Sequence, residues 1–425
     1  MKKLHLVGIG GVGMSALAEA LMDLGAEVSG SERFLDQGRP LPVLDVLRGQ
    51  GATICPQDGS GVTADLSAVV VSSAIESDNP DLAAAARLGI PVLHRSQALA
   101  KALTGKKLIA VAGTCGKSTI TAMLGHLLDI AGLSPSVVDG APCVNWFSSQ
   151  RTGAVLRGTG EYCVAEVDES DTSLLNFYPV HALISNASAD HFSLDETNAL
   201  FDQFLSQVSG SVIDGRADTE PLPQIHEKEW SCEFPFRGRV ITLPHPGRHN
   251  AINAWQACRL AEIIGVSPEA CVRAMASFRG IKRRMELIGT RSDGIRVIDE
   301  YAHNTEKIRA ALKTLQSRST RTLALWRPHG YGPLEKMLDS LTTMFTETLR
   351  HDDILFLMPV FDAGGSARRT IQSDILHERL VAAGVRCELL QDHPAVINRI
   401  TELAHHGDII VTMGARDPDI PVTAQ

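Results

Sequence analysis

The sequence lacks the features that mark three common classes of protein. Its eight cysteines include no C-x-x-C pair, and most lie in apolar runs, as reduced, buried thiols do, so neither a zinc site nor a disulfide framework is expected. Lys and Arg number 40 against 49 Asp and Glu, which leaves no basic excess for a nucleic-acid backbone. No apolar run approaches the length of a membrane span, and Gly8 interrupts the first one. We therefore expect a cytoplasmic enzyme that binds no nucleic acid and does not insert into a membrane.

At 425 residues, the chain is too long for one hydrophobic core, and the usual size of domains suggests about three. Strand-like and helix-like segments alternate along most of the sequence, which favours parallel sheets covered by helices. Residues 206–240 are irregular and polar, and their pattern assigns them to no particular element. We therefore predict an α/β protein with three domains, at residues 1–103, 104–288 and 289–425.

The strongest chemical motif follows an apolar strand-like run at residues 108–112. It consists of Gly113, Thr114, Cys115, Gly116, Lys117, Ser118 and Thr119. Glycines let backbone N–H groups surround phosphates, Lys117 adds positive charge, and the Ser118 hydroxyl can bind Mg²⁺. The alternative is a glycine-rich turn with a solvated lysine. Because apolar residues at helical spacing follow the turn, the motif favours an ATP-binding loop.

A second glycine-rich loop opens the chain. Gly8, Gly10 and Gly13 fit the fingerprint G-x-G-x-x-G, and Glu32 lies at about the distance expected for a ribose-binding acid. Alone, this loop would favour a nicotinamide oxidoreductase, but such an enzyme does not need the phosphate loop that follows later in the chain. Glycines required only for packing are a further alternative.

Together these motifs resemble the Mur ligases, which join amino acids to the peptidoglycan precursor. The resemblance continues in chain order through residues 164–171, 185–191, 247–254, 278–284 and 298–304. The N-terminal loop, with residues 29–32 and 71–75, resembles the UDP-sugar-binding domain of the members that add L-alanine or recycled tripeptide. The resemblance implies a Rossmann-like UDP-binding domain, a central P-loop ATPase-type parallel sheet and a Rossmann-like C-terminal α/β domain that binds the amine.

The resemblance also implies a role for each candidate site residue. Catalytic roles are expected for Lys117, Glu166 and His191, and metal binding for Ser118, Glu166 and His191, because phosphoryl transfer needs ligands for Mg²⁺. ATP contacts are expected from residues 113–119 and from His249, Asn250, Asn253, Arg283, Arg284 and Asp299. UDP-sugar contacts are expected from Gly8, Gly10, Gly11, Val12, Gly13, Ser31, Glu32, Ser72 and Ser73. The alternatives are a solvated charge run at 166–171, a helix cap at Asn250 and surface ion pairs for the arginines.

The sequence departs from the family pattern where the amine should bind. Gly330 and Leu334 stand where alanine-adding members carry arginines for the carboxylate of the amino acid, and Cys115 replaces the usual His of the phosphate loop. Arginine suits bidentate recognition of a carboxylate. The remaining candidates for amine binding are His303, His329, Arg368 and Arg369. The amine itself stays open between L-alanine or another small amino acid on one side and a peptide or an unrelated amine on the other.

The activity implied is ATP-dependent ligation of an acid and an amino acid in peptidoglycan precursor synthesis. ATP would phosphorylate the carboxylate of UDP-N-acetylmuramate, and the amine would then attack the acyl phosphate. The expected cofactors are ATP and Mg²⁺, and the expected oligomeric state is a monomer or a homodimer. Two other classes remain open: a nicotinamide oxidoreductase, and a regulatory protein that resembles the family and binds ATP without turnover.

Overall fold

A computed structural model describes residues 2–188, 192–217, 220–362, 369–415, 417 and 420. The chain divides into two units, Met1–Ile281 and Lys282–Gln425. Helices cover sheets whose strands are mainly parallel, so the predicted α/β class is confirmed. Among the described residues, no helix is long and apolar enough to cross a membrane.

The first unit begins with a parallel sheet in the order β3-β2-β1-β4-β5. Its strands are β1 (Lys3–Val7), β2 (Glu27–Ser31), β3 (Thr53–Cys55), β4 (Ala68–Val71) and β5 (Val92–His94). Its helices are α1 (Val12–Asp23), α2 (Arg33–Asp36), α3 (Pro42–Gly49), α4 (Pro80–Leu88) and α5 (Arg95–Ala102). The strand order reverses between β1 and β4, and a crevice at such a switch point is where open α/β sheets bind ligands. The first glycine loop leaves β1 at this point.

The second sheet of the same unit has the order β11-β10-β6-β9-β7-β8. Its strands are β6 (Lys107–Ala112), β7 (Ser136–Val138), β8 (Val155–Leu156), β9 (Tyr162–Glu166), β10 (His181–Ile184) and β11 (Val212–Asp214). All pairs are parallel except β7 with β8. Residues 108–112 of β6 are buried, as expected for a central strand covered on both faces. The phosphate loop therefore leaves the sheet between the carboxyl ends of β9 and β10.

Helices cover this sheet, and the same unit contains a separate, small antiparallel sheet. The helices are α6 (Lys117–Ile130), a 3-10 helix (Ser173–Asn176), α7 (Leu194–Leu205), α8 (Arg248–Ile264) and α9 (Pro268–Ser277). The small sheet consists of β12 (His226–Glu227), β13 (Cys232–Phe236) and β14 (Arg239–Leu243). Residues 206–240, which the sequence leaves unassigned, therefore contain β11, β12, β13 and the start of β14. Alternate residues Cys232, Phe234 and Phe236 are buried, a period of two that polar neighbours and Pro235 conceal in the sequence.

The second unit contains one sheet in the order β15-β16-β20-β17-β18-β19, parallel except for the pair β15 and β16. Its strands are β15 (Glu286–Thr290), β16 (Arg296–Glu300), β17 (Arg321–Trp326), β18 (Ile354–Leu357), β19 (Cys387–Leu389) and β20 (Asp408–Met413). Its helices are α10 (Thr305–Gln316), α11 (Tyr331–Thr348), α12 (Ser373–Ala382) and α13 (His393–Leu403). The predicted domain bounds at 103/104 and 288/289 stay a prediction.

Candidate active site

The phosphate loop has a backbone shape that only glycine adopts readily. Gly113 (φ +127°) and Gly116 (φ +87°) lie in the left-handed region. A Cβ atom on Gly113 would collide with Ser185, which follows β10. Glycine is therefore required at both ends of the turn, as the motif predicts.

Asn186 holds this turn through both ends of its side-chain amide. Its Oδ1 accepts a hydrogen bond from the Cys115 N–H at 3.0 Å, and its Nδ2 donates to the Cys115 carbonyl at 2.9 Å. Its backbone carbonyl accepts from the Thr114 N–H at 3.1 Å. The loop is thus preorganised by the neighbouring strand, which lowers the entropy lost when a ligand binds.

Lys117 begins α6 and turns its ammonium group back into the loop. Nζ donates to the Gly113 carbonyl and to Oε2 of Glu169, each at 2.8 Å. Burial lowers the pKa of Lys117, but the carboxylates of Glu169 and Glu166 raise it more, so the ammonium group stays charged. Burial raises the pKa of Glu169 despite the opposing charge of Lys117. Glu169 is not among the predicted site residues, because its position in the acidic run does not separate it from solvated neighbours.

Glu166 ends β9 and faces the start of α6. Its Oε2 accepts hydrogen bonds from Ser118 Oγ at 2.8 Å and from the Gly140 N–H at 2.9 Å. Asp139 follows the adjacent strand β7, and its own burial, together with the charge of Glu166, raises the pKa of Asp139 well above its ordinary value. A hydroxyl and carboxylates are hard oxygen ligands, so this donor set fits the predicted Mg²⁺.

His191, the third predicted metal ligand, lies outside the described residues. Within the described ranges, no group of three or more His, Cys, Asp and Glu side chains is arranged to hold a metal ion. Ser118 and Glu166 are therefore the two predicted ligands that the structure brings together.

The start of α8 lies beside the phosphate loop. A Cβ atom on Gly116 would lie 2.8 Å from Oδ1 of Asn253, which is buried. Asn250 instead turns back along its own chain, and its Nδ2 donates to the Pro246 carbonyl at 2.7 Å. His249 lies against Gly247 at the first turn of the helix. Asn253 is thus the member of the predicted adenine-contacting set that directly borders the loop.

Glu32 supports the first glycine loop through a hydrogen bond to a backbone N–H group. Oε2 of Glu32 accepts from the Gly10 N–H at 3.0 Å, and Oε1 accepts from the Phe34 N–H at 3.2 Å. Gly11 caps α1 without a side-chain hydrogen bond. The first N–H groups of a helix have no intrahelical acceptor, so those of Val12 and Gly13 suit a phosphate.

The predicted serines differ in their surroundings. Ser31 is fully buried, its Oγ donates to Asp81 Oδ2 at 2.5 Å, and its carbonyl accepts from the Gly8 N–H at 2.9 Å. Ser72 and Ser73 follow β4 and are partly exposed. Ser31 therefore shapes the glycine loop from inside the fold, whereas the other two are accessible to a ligand.

Arg95, which the sequence did not identify, connects the first glycine loop to the acidic segment that follows β9. A Cβ atom on Gly13 would lie 2.6 Å from Nη1 of Arg95, and Nη2 donates to Asp168 Oδ2 at 3.1 Å. Burial raises the pKa of Asp168, but the nearby charges of Lys117 and Arg95 help to lower it by more than burial raises it. The net shift is downward, and this carboxylate stays charged. No spacing in the sequence links Arg95 to either motif, because it comes from a separate helix.

A cavity of about 180 Å³ lies between the two sheets of the first unit. Gly13 and Arg95 line it from the first sheet, and Asp139, Glu166 and Asp168 from the second. Its volume is below the roughly 300 Å³ of small ligand pockets, so it suits one portion of a larger substrate.

In the second unit, Arg283 pairs with Asp299, and Arg284 packs on an aromatic ring. Arg283 Nε donates to Asp299 Oδ2 at 3.1 Å, and Nη2 donates to the Gly414 carbonyl at 2.5 Å. Burial raises the pKa of Asp299, against the charge of Arg283. Arg284 lies over the ring of Tyr301 with its Cζ 5.1 Å from the centroid. The predicted ATP contacts of these residues stay a prediction.

Two of the predicted amine-binding residues lie together. The rings of His303 and His329 meet edge to face with centroids 5.1 Å apart, and His303 Nδ1 donates to the Tyr301 carbonyl at 3.0 Å. Arg369 Nε donates to Asp362 Oδ2 at 2.7 Å, and the arginine side chain is half exposed. Arg368 lies outside the described residues.

Comparison with known sequences identifies relatives of both units. Residues 3–107 match the family model described as "Mur ligase family, catalytic domain", and residues 283–416 match "Mur ligase, glutamate ligase domain". The chain is 33% identical to the UDP-N-acetylmuramate–L-alanine ligase of Rhizobium meliloti, over 97% of this chain and 93% of that protein. It is also 33% identical to the protein of the same name from Acidithiobacillus ferrooxidans, over 98% and 95%.

Solved structures with the same fold extend over the whole chain. The UDP-N-acetylmuramate–alanine ligase of Thermotoga maritima superposes with a TM-score of 0.82 at 24% identity, covering 100% of this chain and 97% of that one. A murein peptide ligase of Psychrobacter arcticus gives a TM-score of 0.68 at 24% identity, covering 97% and 96%. At this level of identity, the likeness concerns the fold.

Proposed function

Because this chain belongs to the Mur ligase family, which comprises ATP-dependent acid–amino-acid ligases, we propose that it joins the carboxylate of UDP-N-acetylmuramate to a small amino acid, with L-alanine as the first candidate. One observation carries the proposal. Gly13, Arg95, Glu166 and Asp168 line a single cavity. The nucleotide-sugar loop and the phosphoryl-transfer site therefore open on the same space. Relatives named UDP-N-acetylmuramate–L-alanine ligase support the choice of both substrates.

The proposal assigns ATP to the loop Gly113–Thr119. The N–H groups at the start of α6 and the charged Lys117 suit the terminal phosphates. Asn253, with His249 and Asn250, is assigned to the adenine end of the nucleotide, since α8 borders Gly116. Arg283, Arg284 and Asp299 keep their predicted roles toward phosphate and ribose.

The proposal assigns the UDP portion of the other substrate to the first glycine loop. Gly8, Gly10, Gly11, Val12 and Gly13 form the turn into α1, where the helix N-terminus suits a pyrophosphate. Ser72 and Ser73 are exposed enough to contact it, whereas Ser31 and Glu32 support the loop. Arg95 adds a cation at the wall of the cavity that this substrate would enter.

Ser118, Glu166 and His191 are the residues that would hold Mg²⁺. When bound there, the cation would withdraw negative charge from the phosphate oxygens of ATP. Lys117 serves the same purpose from the protein itself, because its Nζ points into the loop and remains protonated.

The reaction proceeds in two steps. A carboxylate oxygen of UDP-N-acetylmuramate attacks the γ-phosphorus of ATP, and the bond to the β-phosphate oxygen breaks to release ADP. The amine then attacks the acyl carbonyl, an amide bond forms, and inorganic phosphate leaves as the amine loses a proton. Lys117 stabilises the moving phosphoryl group, and His303, His329, Arg368 and Arg369 are assigned to the amine substrate.

A phosphate-release assay with an acceptor screen tests the proposal. The full chain is mixed with ATP, Mg²⁺ and UDP-N-acetylmuramate, and each amino acid or the tripeptide of peptidoglycan is added in turn. Release that requires both UDP-N-acetylmuramate and a small amino acid is expected. Lys117→Ala should abolish it, whereas Lys101→Ala, at an exposed lysine of α5, should not.

Three outcomes, one from this assay and two that also use binding measurements, would contradict the proposal. Turnover with the tripeptide alone would assign the chain to peptide recycling. Binding of ATP without phosphate release under any condition would favour a regulatory protein. Binding of NADH detected by its fluorescence, without nucleotide hydrolysis, would favour an oxidoreductase.

A further inference from the structure

Asp139 is a buried carboxylate that the proposed reaction does not use. It follows β7 directly, is 3% exposed and lines the cavity. Its N–H donates to the Ala154 carbonyl at 2.8 Å, and its Oδ1 accepts a long hydrogen bond from the Ala141 N–H at 3.4 Å. Its Oδ2 accepts no hydrogen bond from the described part of the chain. A buried carboxylate oxygen without a donor is costly, so either a proton shared with Glu166 or a ligand in the cavity must satisfy it.

Strand pairing brings Asp139 beside Glu166. β7 and β9 are parallel neighbours with Val138 opposite Ala165, so the next residues of both strands leave the same edge of the sheet together. Gly140, which follows Asp139, lets Glu166 come close to this turn, since a Cβ atom on Gly140 would lie 2.5 Å from Oε2 of Glu166. Two carboxylates therefore border the cavity side by side.

Within the described part of the chain, neither Lys117 nor Arg95 forms an ion pair with Asp139. Lys117 pairs with Glu169 at 2.8 Å, and Arg95 pairs with Asp168 at 3.1 Å. Two adjacent carboxylates in a buried site repel each other unless a proton or a metal ion lies between them. The Ser118 hydroxyl, 2.8 Å from Glu166, adds a third oxygen to the same corner.

We propose that Asp139 is a ligand of the divalent cation assigned to Ser118 and Glu166, and that its added charge lets the site hold this cation before ATP arrives. The inference rests on the proposed function for the presence of a cation and adds a residue to it. Mg²⁺ is usually held by one or two carboxylates together with substrate phosphates. The second carboxylate is what allows binding in the absence of those phosphates.

A titration with Mn²⁺, a paramagnetic substitute for Mg²⁺, tests the inference without turnover. The free Mn²⁺ signal in electron paramagnetic resonance is measured against the full chain without nucleotide. Asp139→Asn, which keeps the shape and removes the charge, should weaken Mn²⁺ binding by about 10- to 100-fold, as loss of a supporting residue at a metal site typically does. The matched control is Asp129→Asn, at an exposed carboxylate near the far end of α6, and its affinity should equal wild type.

Equal Mn²⁺ affinity in Asp139→Asn and wild type would overturn the inference. A proton shared between the two carboxyl groups would then explain why they lie side by side. Wild-type crystals soaked with Mn²⁺ decide the matter if Asp139→Asn does not fold. An anomalous peak in contact with both carboxylates supports the inference, and a peak at Glu166 alone, or no peak, overturns it. Because neither measurement needs UDP-N-acetylmuramate, a failed acceptor screen would overturn the substrates without affecting this result.

Discussion

Gly116 and Asn253 meet where the phosphate loop enters α6, and a Cβ atom on Gly116 would lie 2.8 Å from Oδ1 of Asn253. Gly116 also has a φ of +87°, which disfavours any side chain. The sequence predicts an ATP contact for each residue but no contact between them. Their proximity makes the shape of the loop dependent on α8.

We predict that Gly116→Ala lowers the affinity for ATP at least tenfold. The methyl group would push Asn253 away, and the strained backbone would lower the free energy of unfolding by about 1–3 kcal/mol. Gly132→Ala is the control, because Gly132 has a similar φ of +81° but no atom within 4 Å of its Cβ position. It should cost about 1 kcal/mol and leave ATP binding unchanged. Equal ATP affinity in both variants, measured by titration calorimetry, would contradict the role given to this contact.

Arg95→Gln should raise the KM for UDP-N-acetylmuramate about tenfold while the KM for ATP stays within twofold of wild type. The guanidinium lies against Gly13 of the first loop, and loss of one charge-assisted contact is worth about 1.5–3 kcal/mol. Arg87→Gln, at an exposed arginine of α4, is the control. Steady-state kinetics with each substrate varied in turn provides the measurement. A change in the ATP constant alone would assign Arg95 to the other loop.

Stability should fall as the pH drops below about 6.5, with His245 as one cause. Burial lowers the pKa of His245, whose ring meets Phe278 edge to face at 5.5 Å. The unfolded chain then binds more protons than the folded one below the ordinary pKa, so unfolding is favoured there by up to about 1.4 kcal/mol per pH unit. His245→Gln should show a shallower loss in urea denaturation between pH 7.5 and 5. Parallel curves for variant and wild type would exclude His245 as a source.

Local signals in the sequence predict several elements closely. The helix predicted across Pro80 to Leu88 and closed by Gly89 is α4 with the same bounds, because Asn79 caps its start and Gly89 (φ +69°) ends it. The phosphate loop follows β6 as expected, because a fully buried strand and a helix of regular apolar spacing surround it. These features depend on neighbours in the chain.

Features that depend on distant segments escape such reasoning. Asp139 and Glu169 reach the site from the segments after β7 and β9, and Arg95 reaches it from α5, so only the tertiary fold brings them together. Glu32 is a related case, since its spacing predicts a ribose contact whereas the structure directs its carboxylate to Gly10. A side chain can satisfy a motif and still serve the loop instead of the ligand.

The amine remains the least constrained part of the proposed reaction. An amino acid carries a carboxylate beside its amine, and an imidazole is mostly uncharged at neutral pH, so the pair His303 and His329 is a weak anchor for it. Arg369 is a stronger candidate, because its exposed guanidinium forms a surface ion pair with Asp362 at 2.7 Å. Water and salt screen an exposed ion pair of this kind, so a substrate carboxylate can compete for the arginine.

Arg369→Ala should therefore raise the KM for L-alanine about tenfold with little change in the KM for ATP, since removal of the arginine removes a charge-assisted hydrogen bond to the amino-acid carboxylate. Arg386→Ala, at another exposed arginine of the second unit, should behave as wild type. The measurement is phosphate release at increasing amino acid, with acceptors that carry or lack a carboxylate. If the variant discriminates between the two acceptor types as wild type does, Arg369 is not the anchor. An amine without a carboxylate that reacts equally well in wild type would instead explain why Gly330 and Leu334 replace arginines, because no carboxylate would need a cation.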